Sequence, residues 1–407
     1  MSLVPRQLLL RLHAAAVESV GGRQAVARHL RKRARQGPVH LLALGKAAAA
    51  MTQGALDVLG DAVLAGLAIT REGYTDPALD RRIVQLEAAH PVPDVRSLAA
   101  GRAVVDFLER APDDAHFLVL ISGGASSLVE LPADGIGIDQ LAALNRWLLG
   151  GGRDIHAMNR IRRACSRIKG GRLAYYLRGR PAEVLLISDV RGDDPASIGS
   201  GPLCPSNDVP VDASELPEPL RALVRHAPAV PPIEAFAAVR TTIVASNAQA
   251  LNAAAALAEA EGRTVHRHAA FLDGDAVASG AAIAACLNSG PPGIHLWGGE
   301  PTVRLPERPG RGGRMQALAL SAARTLNAGC YLLAGATDGV DGSGDDAGAV
   351  VDADTRKRSA EAGFEIEDGL AQADAGTLLA AAGDLFRTGP TGTNVMDVVI
   401  GLRQADD

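Results

Sequence analysis

Stretches that join glycine to hydroxyl, carboxylate or cationic side chains recur along this chain, and several directly follow apolar runs. Ser122-Gly123-Gly124-Ala125-Ser126-Ser127 follows the run from Phe117 to Ile121. Glycines let backbone N–H groups approach an anion, a helix N-terminus adds favourable field, and hydroxyls add donors, so this loop is a candidate phosphate cradle. A tight turn with a capping serine is the plainer reading. Lys46 lies in Gly45-Lys46-Ala47, after the run from Val39 to Leu44; Ala47 follows the lysine and no glycine stands five residues before Gly45, so this is not a Walker A loop. Lysine is scarce: Lys32, Lys46, Lys169 and Lys357 are the only ones among 41 basic residues, and two of them sit in glycine-rich motifs. A chain that uses arginine nearly everywhere keeps lysine where a compact ammonium matters, or by chance.

Asn159, Arg162, Ser166 and Lys169 recur at spacings of three, four and three, which predicts one polar stripe on a helix stopped by Gly170-Gly171. Two cations on that stripe suit a phosphate or carboxylate; a solvated helix face is the alternative. Ser188-Asp189-Val190-Arg191-Gly192-Asp193-Asp194 ends another apolar run. Its aspartates offer hard oxygen ligands for Mg²⁺ or a base for a hydroxyl, or simply an Asx-rich turn. Arg314, in Gly310-Arg311-Gly312-Gly313-Arg314-Met315-Gln316, presents a planar fork suited to a carboxylate. Thr337 to Gly348 contains Gly342-x-Gly344-x-x-Ala347, but Asp345 and Asp346 would repel a pyrophosphate, and the spacing is not that of an EF-hand. Thr388 to Asn394 again sets small hydroxyls beside glycines.

These residues need a scaffold of strand ends. The sequence predicts a helix over 5–34, strands from Val39 to Leu44, Val63 to Thr70, Phe117 to Ile121 and Val184 to Ile187, and a helix from Ser97 to Glu109 capped by Ser97. Apolar strands alternating with helices predict a mostly parallel sheet covered on both faces, with ligands outside the strands' carboxyl ends. Pro202 to Pro232 is proline-rich and reads as an interdomain stretch. A second α/β pattern starts with the strand from Thr241 to Ala245 and continues through strands at Ile294 to Trp297 and Tyr331 to Ala336. The fold class is α/β with two domains, 1–235 and 236–407.

Composition excludes other classes. Net charge is −5 and no basic run exceeds Arg31-Lys32-Arg33, which argues against nucleic acid. No apolar stretch reaches a membrane span, and Met1 to Leu10 does not read as a signal peptide. Cys165, Cys204, Cys286 and Cys330 are widely spaced, with no Cys-x-x-Cys or Cys/His cluster to suggest zinc and no disulfide framework. A cytoplasmic protein is expected.

Ten motifs occur in one order: Leu44-Gly45-Lys46-Ala47, His90-Pro91-Val92-Pro93-Asp94, Ser122 to Ser126, Ile168-Lys169-Gly170-Gly171, Ile187 to Asp193, Ser200-Gly201-Pro202, Gly298 to Val303, Gly312-Gly313-Arg314, Thr337 to Gly342 and Thr388 to Asn394. Together they resemble the glycerate 2-kinase family, whose C-terminal region is called the MOFRL domain. The resemblance implies ATP-dependent phosphorylation of D-glycerate to 2-phosphoglycerate with a divalent cation, Mg²⁺. It also implies a Rossmann-like, doubly wound N-terminal domain, a smaller C-terminal α/β domain and an active site in the cleft between them. Lys46, Asp189 and Arg314 match the family's active-site motifs, and Ser122, Gly123, Gly124, Ala125, Ser126 and Ser127 match its glycine-rich loop. With the residue reading this gives Lys46, Asp189 and Arg314 as catalytic, the 122–127 loop for nucleotide, Arg314, Lys169 and Asn159 for substrate, and Asp189 and Asp193 for metal. Met315, Ala317 and Ala164-Cys165-Ser166 depart from the family pattern. An NAD(P)H-dependent hydroxypyruvate reductase and a non-catalytic binder of small organic acids are the alternatives. A homodimer is left open.

Overall fold

Six runs of the chain's first part become one parallel sheet. In the computed structural model, which describes residues 5–32, 37–150, 155–225, 227–342 and 344–405, they are β1 (Val39–Leu44), β2 (Val63–Arg71), β3 (Ile83–Ala88), β4 (Phe117–Ile121), β5 (Ala182–Ile187) and β6 (Val239–Ala245). Their order is β3-β2-β1-β4-β5-β6, every pair parallel. This is the doubly wound order, in which the winding reverses between β1 and β4. All five residues of β4 are buried, as a central strand covered on both faces requires. Leu42, Ile69, Val104, Phe117, Leu128 and Val184 belong to the core around it.

Several expectations change. The strand from Thr241 to Ala245 does not open a second pattern: it is the end of β6 and pairs with β5. β3 was not foreseen, because Gln85 and Glu87 interrupt its apolar run. The helix over 5–34 is two helices, Pro5–Ser19 and Gly22–Arg31, broken at Val20-Gly21. Residues 33–34 of that expectation, and 1–4 of the N-terminal stretch, lie outside the described residues. Helix Val95–Arg110 is capped by Asp94, whose carboxylate accepts from the Arg96 and Ser97 N–H groups while Ser97 Oγ accepts from the Asp94 N–H. The proline-rich stretch is no linker. Leu216, Leu220 and Leu223 pack into a small core with Leu144, Leu148 and Ile161.

The chain divides into two compact units: a first of Gly22–Ala245 with Gly392–Asn394, and a second of Met1–Gly21, Ser246–Thr391 and Val395–Asp407. The boundary expected from the sequence lies at 235/236. Two facts account for the difference. β6 extends the first sheet, and helix Pro5–Ser19 packs on strands of the second.

The second sheet contains β7 (Val265–Arg267), β8 (Gly293–Gly299), β9 (Cys330–Ala336), β10 (Gly348–Asp352), β11 (Leu385–Phe386) and β12 (Asp397–Arg403). Its order is β11-β10-β9-β12-β8-β7, and only β7 and β8 run parallel. Helices Ala276–Ser289 and Arg314–Ala323 pack together over a core that includes Trp297, Leu318, Leu332, Val351 and Val399. No helix among the described residues is long and apolar enough to cross a membrane.

Candidate active site

β1, β4 and β5 are neighbours, and each runs into a turn with a polar residue: Gly45-Lys46-Ala47, Ser122-Gly123-Gly124 and Ser188-Asp189. The crevice where a doubly wound sheet reverses is its usual ligand site. Here the first two turns are stitched across it. The Lys46 N–H donates to Gly123 O at 2.9 Å, and the Ala47 N–H donates to Ser122 Oγ at 3.0 Å.

Gly123 is a position of close approach. A Cβ there would lie 2.2 Å from Asp189 Oδ2 and 2.5 Å from Asn394 Nδ2. A Cβ on Gly124 would lie 3.2 Å from both Lys46 Cγ and His90 Nε2. Lys46, His90, Asp189 and Asn394 therefore crowd two adjacent glycines, and Lys46, His90 and Asp189 are each half-buried. The helix after the loop is a single turn, Ala125–Leu128, so it adds little dipole. The serine hydroxyls build the loop: Ser127 Oγ donates to Gly124 O at 3.3 Å, and Ser126 Oγ pairs with Ser200 Oγ at 2.7 Å. Asp193 is half-buried with φ 54°, in the same loop as Asp189.

Asn159 and Lys169 have other work. The helix expected to carry their stripe, Ile155–Ala164, stops before Ser166 and Lys169. Asn159 is buried; its Nδ2 donates to Ser197 O at 3.1 Å and its Oδ1 accepts from Ser200 Oγ at 2.9 Å. Lys169 is buried against Glu130, whose other oxygen accepts from Ser166 Oγ at 2.8 Å. Burial holds the Lys169 ammonium below its usual pKa, and Glu130 opposes that shift.

In the second unit Arg314 opens helix Arg314–Ala323. Its fork is filled by Asp397, with Nε to Oδ2 at 2.6 Å and Nη2 to Oδ1 at 3.1 Å, and Nη1 meets Glu300 Oε1 at 3.0 Å. The two-pronged grip expected for a substrate carboxylate is thus spent on the protein. Burial opposes the Arg314 charge, but Asp397, Glu300 and Asp341 outweigh it and hold Arg314 above its usual value. Burial pushes the Asp397 carboxyl up to about 7 against the pull of Arg314. Asp341 accepts from the Met315 and Gln316 N–H groups at 3.1 and 2.7 Å, and burial pushes it up to about 6. Asp341 falls within the acidic Thr337–Gly348 motif and Asn394 ends a loop of small hydroxyls and glycines, whereas the His90 turn and Asp397 carry no local signal of a site.

A family model described as "Domain of unknown function (DUF4147)" matches residues 8–230, and one described as "MOFRL family" matches 293–397. A protein of Pyrococcus horikoshii named glycerate 2-kinase is 34% identical over 390 residues, which cover 90% of this chain and 88% of that protein. The chain belongs to the glycerate 2-kinase family. A crystal structure of a glycerate kinase from Thermotoga maritima, 32% identical, matches with a TM-score of 0.84 over 98% of this chain and 99% of that one. An Agrobacterium vitis relative, 38% identical over 88% of this chain and 97% of its own length, carries a provisional name as a hydroxypyruvate reductase. In glycerate 2-kinase terms, the first match contains Lys46, the 122–127 loop and Asp189, and the MOFRL match contains Arg314, Asp341 and Asp397.

Proposed function

We propose that this protein is an ATP-dependent kinase that phosphorylates D-glycerate to 2-phosphoglycerate. The observation that carries this reading is the convergence of Lys46, the Gly123-Gly124 turn and Asp189 at adjoining strand ends, in a chain of the glycerate 2-kinase family. Phosphoryl transfer asks the protein for positioning and charge neutralisation more than covalent chemistry. Loop N–H groups from Gly123 to Ser126 hold ATP phosphates. Lys46 neutralises charge on the transferring group. The hydroxyl oxygen of glycerate bonds to the γ-phosphorus, the bond to the ADP oxygen breaks, and Asp189 takes the hydroxyl proton. Arg314 gives three N–H groups to carboxylates and is part-exposed. Its two remaining N–H groups make Arg314 a candidate ligand for an anion.

Asp189 and Asp193, two hard oxygen donors on one loop, fit Mg²⁺, which proteins hold through one or two carboxylates plus substrate phosphates. Bound there, the ion would neutralise charge on the ATP phosphates. The reductase reading draws on the Agrobacterium vitis name. Against it, the first strand-to-helix turn reads Gly45-Lys46-Ala47-Ala48-Ala49-Ala50, without the glycine triplet that admits a dinucleotide pyrophosphate.

A coupled assay tests the proposal. ATP consumption should depend on D-glycerate, and the product should feed enolase directly, as only 2-phosphoglycerate does. Glycerate-independent ATP loss, or oxidation of NADH by hydroxypyruvate in its place, would overturn it.

A further inference from the structure

Three side chains distant in sequence meet at one edge of the second sheet. His268 follows the edge strand β7, His295 lies on its parallel neighbour β8, and Cys286 lies on helix Ala276–Ser289. One donor atom from each falls within 4.8 Å of the other two. The three residues come from three elements and share no short motif in the sequence.

The two rings are already aimed. His295 Nε2 lies 2.9 Å from Pro291 O, and a carbonyl can only accept, so the proton sits on Nε2 and Nδ1 is left as an acceptor. That lone pair faces His268 Nε2 at 3.0 Å. His268 in turn stacks on Trp297, with ring centroids 4.2 Å apart and planes 8° apart. A carbonyl on the far nitrogen is the outer-shell arrangement that fixes tautomer and orientation in metal-bound histidines. His266 is the outsider: its Nε2 meets Pro292 O at 3.2 Å.

We propose that His268 Nε2, Cys286 Sγ and His295 Nδ1 form a binding site for a borderline-soft divalent cation, with zinc as its occupant. Imidazole and thiolate together select zinc over the hard cations used with nucleotides. Zinc holds nitrogen at about 2.0–2.1 Å and thiolate at about 2.3 Å, so a tetrahedral ion spaces its donors by roughly 3–4 Å. The two rings already meet that spacing at 3.0 Å, and the 4.8 Å limit on the whole cluster lies just beyond it. On binding, the His268 proton moves to Nδ1, the thiol proton leaves to solvent, and water completes the fourth position. None of these residues belongs to the proposed kinase machinery, and the proposal does not rest on it.

The test is a Co²⁺ titration of the untagged, metal-stripped full chain under reducing conditions. One equivalent should give a thiolate-to-cobalt charge-transfer band and tetrahedral visible absorption, and Zn²⁺ should abolish both. Cys286→Ser should remove the charge-transfer band, and His268→Gln should weaken binding at least roughly tenfold. Cys204→Ser should change neither. If one variant fails to fold, the other still decides. The absence of a thiolate band in the parent, or its survival in folded Cys286→Ser or at full affinity in His268→Gln, would overturn the site.

Discussion

Lys46 and Gly123 bear on the same crevice in different ways. Lys46 supplies charge, so Lys46→Ala should lower kcat at least about tenfold in a protein whose melting temperature is unchanged; a lost cation at a transferring phosphoryl group is worth up to roughly 3 kcal/mol. Unchanged turnover in the folded variant would remove Lys46 from the mechanism. Gly123 supplies room. In Gly123→Ala the new Cβ would fall 2.2 Å from Asp189 Oδ2 and 2.5 Å from Asn394 Nδ2. Both are ends of side chains that can swing away, so stability should fall little while kcat falls roughly tenfold or more. A variant with normal kcat would separate Asp189 from the chemistry. Lys46, Asp189 and the loop were legible because small and polar residues at the ends of apolar strands are visible in a sequence. His90 and Asn394 were not assigned there because they reach the site from distant segments: Asn394 stands 271 positions beyond Gly123 and meets it only in the fold.

At the scale of elements, β1, β2, β4, β5, β8 and β9 were readable as apolar runs, and their ends were therefore readable as candidate sites. Pairing was not. Nothing local tells the run ending at Ala245 to join β5, or tells β9 and β12 to pair antiparallel. The polar stripe of Asn159, Arg162, Ser166 and Lys169 failed for a related reason. Periodicity continued past Ala164, but the chain leaves the helix there, and Glu130, 39 residues before Lys169, claims the ammonium. A buried pair broken on one side leaves a charge without compensation. Lys169→Met should therefore cost about 3–5 kcal/mol of stability, measured by denaturant unfolding, with the KM for glycerate unchanged in whatever remains folded. Adding Glu130→Leu should recover most of that loss. A raised KM with unaltered stability would return Lys169 to the substrate.

At the scale of the whole molecule, the chain's ends are tied to the second unit, and His13 is part of the tie. It lies on helix Pro5–Ser19 among buried Leu9, Leu12 and Ala16, edge-on to Phe386 with ring centroids 5.1 Å apart. Its Nε2 is buried without a hydrogen-bond partner. The helix pattern was legible, but its destination was not, because an amphipathic face does not name the sheet it covers. The buried imidazole makes that destination measurable. Burial pushes His13 down to about 4, whereas in the unfolded chain it titrates near about 6.5. Between these values the unfolded chain binds the extra proton, so stability rises with pH through the window and is lost as pH falls from about 6.5 towards 4. Across the full window the contribution is about 3 kcal/mol. His13→Leu keeps the apolar contact and removes the proton. The variant should match the parent in melting temperature near about pH 8 and exceed it near about pH 5. Parallel pH profiles for the two proteins would mean that His13 is not buried as a neutral ring, and that the N-terminal helix is not held to the second unit in the way its packing indicates.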